Sequence, residues 1–213
     1  MNDTLLNALT VEQREIFLGL TTPALIQAFL DSIPYAPEYI NRCPLRVMQD
    51  RRAHCLDGAL FAAAVMRQIG FPPRVLAMYP EPGMDDDHLV AIYRINGAYG
   101  AVAQSNFVGL RFREAVYRSL RELVLSYFEG FYNIDKIKTL RNYTAPCNLA
   151  SFDRLNWTIS DAGADAIERA LPNLRRYPVL TSEMPARLSK VDDLTYQAGL
   201  LGADDAGLYR PKA

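Results

Sequence analysis

The run from Arg52 to Pro73, RAHCLDGALFAAAVMRQIGFPP, constrains this chain more than any other segment. Leu56, Ala59, Leu60, Ala63, Ala64 and Met66 recur at helical spacing and give an apolar face too wide for a surface helix. Gly70 and Pro72 end it. Such a helix, expected over Arg52–Ile69, must be largely buried. The surface that buries it follows in the sequence. Arg74 to Tyr79 has the composition of a short strand, Pro80 to Asp87 of a polar loop, and His88 to Ile95 of a second strand. Asn96-Gly97 is the pair that a two-residue hairpin turn favours, and it predicts a returning strand from Ala98 to about Ser105.

Around this helix and sheet the chain is helical and connecting. Thr10 followed by Gln13 forms a capping box for a helix to about Leu20, and Thr22 with Pro23 starts another through Ser32. Pro34, Pro37 and Pro44 exclude one continuous helix from Ile33 to Gln49, which is expected to wrap the core in extended form. Further on, a helix is expected over Leu120–Phe131, a strand over Ser151–Ile159 and a helix over Ser160–Leu171. The tail from Thr181 should be docked loops with a short helix near Leu194–Leu201.

Composition limits the function classes. With 213 residues, half of them hydrophobic, the chain can bury one substantial core, and one domain is expected. That domain has its core at about 45–160, a helical extension over 1–44 and a loop-rich tail over 178–213. A net charge of −1, from 23 basic and 24 acidic residues, gives no pull towards nucleic acid or an anionic membrane. The first residues carry no export signal and no spanning segment, so a cytoplasmic location is expected. Cys43, Cys55 and Cys147 are an odd set of free thiols rather than a disulfide framework.

The chemistry is expected at Cys55. Its place at a helix N-terminus, among unpaired N–H groups and the positive end of the dipole, favours thiolate over thiol. An imidazole beside it, that of His88, would complete a nucleophile–base pair. His54, about 100° around the helix from Cys55, is expected at the surface or as a cap. Asp57 is expected to complement the dipole, and Asp85-Asp86-Asp87 to be a solvated loop. Arg111, Arg113, Arg118 and Arg121 look like a solvated face, and Tyr117, Tyr127, Phe128, Phe131 and Tyr132 like core packing.

The segment CLDGALFAAAVMRQIGFPPRVLAMY resembles the nucleophile helix and first strand of the transglutaminase-like branch of the papain-like cysteine enzymes. The turn Gly70-Phe71-Pro72-Pro73-Arg74-Val75 stands where that family has a Gly-Ile-Pro-Ala-Arg-Val type of turn, and His88 with LVAIYRINGAYGAV resembles its histidine strand and hairpin. The match covers roughly Arg51 to Asn106. It implies an α+β fold of papain-like topology, with Cys55 as nucleophile, His88 as base and no cofactor or metal. It also implies acyl transfer through a thioester, as a peptidase or amidase with water as acceptor, or as an acyltransferase with an amine. A peptide, a protein or a small amide would be the substrate. The family's orienting Asp falls on Ala103 here. Asn106 is the expected third member, with Gln104 and Ser105 as rivals, depending on whether Gly100 marks a bulge that shifts the register. The Ala at that position also leaves open a domain that binds a peptide or protein partner without turnover.

Overall fold

The computed structural model describes residues 3–211, which form an α+β fold. Eight α-helices, α1 (Asp3–Ala8), α2 (Val11–Gly19), α3 (Pro23–Asp31), α4 (Pro44–Asp50), α5 (Cys55–Gln68), α6 (Leu120–Leu125), α7 (Asp161–Ala170) and α8 (Asp193–Gly199), accompany seven strands. The strands are β1 (Arg74–Pro80), β2 (His88–Ile95), β3 (Ala98–Val102), β4 (Arg113–Tyr117), β5 (Leu140–Thr144), β6 (Cys147–Asn148) and β7 (Arg176–Pro178). They make one antiparallel sheet in the order β4-β3-β2-β1-β5-β7, with β6 also pairing β1. No helix among the described residues is long and apolar enough to cross a membrane.

The apolar helix organises the rest. α5 is buried from Leu56 through Met66 and packs on the sheet face that carries Val75, Ala77, Leu89, Ala91, Tyr93 and Val102. The opposite face carries Leu76, Met78, Val90, Ile92, Ala101 and Ala103, covered by Leu123, Val124, Tyr127 and Phe131. Both faces are thus apolar, because helices cover both. At the crossing of α5 with the segment after β3, Gly58 leaves no room for a side chain: a Cβ there would lie 2.4 Å from the Gln104 Cβ.

The Asn96-Gly97 turn is as expected, with both residues at positive φ (49° and 89°) and Ile95 paired to Ala98. The plain β2–β3 register holds to Ala91 opposite Val102. The irregularity at Gly100 is real, but it lies on the β3–β4 side, between Tyr99 and Ala101. A bulge facing β4 leaves the β2 register untouched. β3 ends at Val102, short of Ser105, so beyond Ala91 the first residues of β2 have β1 on one side and no strand on the other.

Several expectations are corrected. The stretch 33–49 is not extended throughout: Pro44 occupies the first position of α4, where its missing N–H costs nothing. α5 begins at Cys55 rather than Arg52, since Ala53 bridges to Tyr35 and His54 is the N-cap. Leu149–Leu155 is a 3-10 segment, not a strand, and beyond it Trp157 is buried with its indole N–H donating to Asp153 Oδ1. α6 stops at Leu125, with a 3-10 turn at Phe128–Gly130 completing the expected helix. Sequence periodicity missed β4, β5 and β7, which are short and gain their stability by pairing. The arginine cluster is a solvated face only in part: Arg118 and Arg121 are exposed, whereas Arg111 and Arg113 are half-buried. Arg113 lies over the Tyr127 ring at 3.9 Å and donates to the carbonyls of Gly109, Phe112 and Ser126, and Arg121 donates to Pro178 and Val179. Tyr127, Phe131 and Tyr132 are core, as expected.

The close approach at Gly58 gives a direct test. Gly58→Ala should lower stability by about 1–3 kcal/mol through overpacking against Gln104. Gly19→Ala, with open space around it, should not. Urea unfolding midpoints of the two variants measure the difference.

Candidate functional site

His54 fixes the N-terminus of α5. Its Nδ1 accepts the N–H of Leu56 at 3.2 Å, and Asp57 Oδ2 accepts the N–H of His54, also at 3.2 Å. This capping box puts a histidine where Ser or Thr is usual. Asp57 does more than complement the dipole. Fully buried, it also accepts the Arg42 N–H at 2.7 Å and tethers the preceding loop to the helix. Burial nevertheless raises its pKa to about 7, against the hydrogen bonds and the Arg42 charge that favour the carboxylate.

Capped in this way, α5 presents the half-buried Cys55 at the open edge of β2. The thiol lies 3.8 Å from the Asp87 carbonyl oxygen and takes a hydrogen bond from the Leu89 N–H. Asp87 directly precedes β2, and Leu89 lies on the part of β2 that has no β3 partner. Two cavities meet here. One, of about 350 Å³, is lined by Cys55, Tyr35, Glu38, His54, Asp86, Asp87 and Glu168 among others. The other, of about 50 Å³, is lined by Cys55 together with His88, Ser105, Asn106, Leu110 and Phe131.

His88 lies on the sheet face opposite α5, with Val90 and Ile92, its ring 6.3 Å from that of Tyr127 and 6.5 Å from that of Phe131. Cys55 and His88 are therefore not joined across one face. Both reach the smaller cavity through the gap left where β3 ends. His88 Nε2 lies 2.8 Å from the Leu110 carbonyl oxygen. A carbonyl only accepts, so Nε2 carries the proton and Nδ1 keeps the lone pair. Burial holds the ring neutral, with its pKa lowered to about 4. The Leu110 bond opposes this shift and the Arg113 charge adds to it.

The expected third member has another task. Asn106 Nδ2 donates to the Asp204 carbonyl at 2.8 Å, and its Oδ1 accepts the Asp204 N–H at 2.7 Å, so the whole amide is spent on the tail. Gln104 donates to the carbonyls of Leu30 and Ile33, and Ser105 Oγ accepts the Phe107 N–H. Ala103 is tied by its backbone to Gln27. The group that holds the His88 ring is the Leu110 carbonyl. No sequence signal marks it, because every residue has a carbonyl.

The thiol is also corrected. Its pKa is pushed up rather than down: burial is the largest cause and the Asp87 charge the next, with Asp57 and Asp86 adding, against the Leu89 N–H. The Asp run is not simply a solvated loop. Asp85 accepts the Thr139 hydroxyl at 2.7 Å, while Asp86 and Asp87 reach water inside the larger cavity. The enclosing walls remove enough solvent to raise Asp87 to about 6, with the charges of Asp86 and Glu168 adding to the effect. Cys43 is buried and raised to about 12, and Cys147 is buried and raised as well. Among the described residues no group of three or more His, Cys, Asp or Glu is arranged to hold a metal.

No protein-family model and no curated protein matches the chain. Among solved structures it is similar to Legionella pneumophila LapG, and to the same protein after EGTA treatment. Each aligns at 12% identity, over 53% of this chain and 72% of that one, with a TM-score of 0.38. An overlap of this size assigns no activity.

Two measurements check the electrostatics. Asp87→Asn removes the largest charge acting on the thiol, so Cys55 should be alkylated by iodoacetamide several-fold faster at pH 8 while Cys43 and Cys147 stay slow. His88→Gln keeps a donor for Leu110. The contribution of His88 to wild-type stability should be lost as pH falls from 6.5 to about 4, because the unfolded chain takes up a proton that the folded ring refuses. The variant should lack that loss, which reaches at most about 1.4 kcal/mol per pH unit. Asp57 and Asp87, with raised pKa values, act in the opposite sense in this window and cancel in the comparison.

Proposed function

We propose that the chain is a papain-like, transglutaminase-like thiol enzyme that forms a thioester on Cys55, with His88 as general base and the Leu110 carbonyl in the orienting role. The observation that carries this reading is the shared cavity. A half-buried thiol at a helix N-terminus and a neutral imidazole, anchored through Nε2 and free at Nδ1 among the described residues, line the same 50 Å³ space. In the proposed step His88 Nδ1 takes the thiol proton and the sulfur attacks an amide carbonyl carbon. The N–H of Cys55, at the first helical position and without an intrahelical partner, helps hold the oxyanion. The C–N bond then breaks as the amine receives the proton from His88, and water or an amine releases the thioester.

A backbone carbonyl orients the ring as a neutral amide would, but it offers less stabilisation to an imidazolium than a carboxylate does. With the thiol raised and the imidazole lowered, the resting pair is thiol and imidazole rather than thiolate and imidazolium. The proton therefore moves only when the acyl donor is bound. The same raised thiol favours the second reading, a domain that binds a peptide or protein partner without turnover. Location in the cytoplasm and action on a peptide, protein or small amide belong to the proposal.

The test is acylation by p-nitrophenyl acetate, followed by intact mass and peptide mapping. Acetyl-Cys55 should form in wild type, and His88→Ala should slow it by about 10²–10⁴-fold, the range for a lost general base. The rate should go on rising through pH 8, as for a thiol that is still protonated. Absence of acetyl-Cys55, or acylation indifferent to His88→Ala, would count for the binding reading.

A further inference from the structure

The segment from Asp204 to Tyr209 crosses the place where the two cavities meet. Ala206 and Gly207 line the larger, and Gly207 and Tyr209 line the smaller. We infer that this segment is a displaceable strap which closes the Cys55–His88 site against bulky acyl donors and must lift for them to enter. The inference goes beyond the proposed chemistry. It uses that reading only to say what the strap guards.

The attachment is local and polar. Asn106 grips both backbone groups of Asp204, at 2.8 and 2.7 Å, and Asp204 Oδ1 caps the following turn by accepting the Ala206 N–H at 2.9 Å. Gly207 lies flat on the Tyr35 ring: a Cβ would stand 2.9 Å from two ring carbons and 3.1 Å from Asn106 Nδ2. The Tyr209 hydroxyl makes a long contact with the Gly83 carbonyl, at 3.4 Å. The preceding α8 buries no residue, and its Gly199 sits against the Tyr132 hydroxyl. None of residues 204–209 is itself fully buried. A segment held by a few hydrogen bonds and glycine contacts, without side chains in the core, opens at a small fraction of the global unfolding free energy. Among the described residues none of the hydrogen bonds that hold it comes from a strand or from α5, so it can leave while they stay folded.

The experiment compares a bulky and a small thiol reagent on the full chain. Fluorescein maleimide and iodoacetamide are reacted separately with wild type, Asn106→Ala and Gly207→Val, and Cys55 modification is followed by peptide mapping. Release of the strap should speed the bulky reagent about tenfold or more in both variants and the small one far less, with the buried Cys43 and Cys147 unmodified as the sign of an intact fold. An unchanged bulky-reagent rate, or equal acceleration of both reagents, would overturn the proposal. Hydrogen exchange on wild type gives an answer without any variant. The Asp204 amide should exchange at least about 10³-fold faster than the amides of α5, and equal protection would mean that the strap opens only with the whole fold. Since neither readout needs turnover, an absence of acyl chemistry would leave this result standing.

Discussion

Burial of α5 between the sheet and its flanking helices is the constraint on which the rest depends. Eleven consecutive residues, Leu56 to Met66, are buried, so neither the tilt nor the register of the helix can change without opening the core. Gly58 against Gln104 fixes how close the helix comes to the segment after β3. The His54–Asp57 box then fixes where the first turn begins. The position of Cys55 at the unpaired edge of β2 follows from these contacts, and so does the cavity that it shares with His88.

Two opposing influences act on the thiol. A helix N-terminus stabilises an anion by about 0.3–1 kcal/mol at an exposed site and somewhat more when partly buried. Loss of solvent around the sulfur and the charges of Asp87, Asp57 and Asp86 act the other way and prevail. His88 is held neutral by the same kind of burial. The site thus combines a protonated thiol with a neutral imidazole, an arrangement that avoids leaving two opposite charges in a cavity poor in solvent.

Asn106 shows how one residue type can serve different ends. On sequence grounds its amide suits an imidazole. In the fold the same donor and acceptor meet the two backbone groups of Asp204, and a carbonyl from Leu110 takes the place beside His88. The tail is thereby joined to the segment that follows β3, next to the cavity, by contacts that are individually weak.

What the sequence by itself determined is local: the capping box at Thr10, Pro23 opening α3, the apolar α5 stopped by Gly70, and the Asn96-Gly97 turn with its plain register. Each follows from backbone preferences or side-chain periodicity within a few residues. Cys55 at a helix start and His88 at a strand start belong to this class, and so does an α+β arrangement. Tertiary structure alone decided the remainder. The short strands β4, β5 and β7 exist because neighbours complete their hydrogen bonds, and no periodicity announces them. The partner of the His88 ring is a backbone carbonyl far along the chain, the partner of Asn106 is farther still, and the sign of the thiol's pKa shift depends on how much solvent the fold removes. These properties depend on distance in space and on local polarity. A linear sequence specifies neither until the chain has packed.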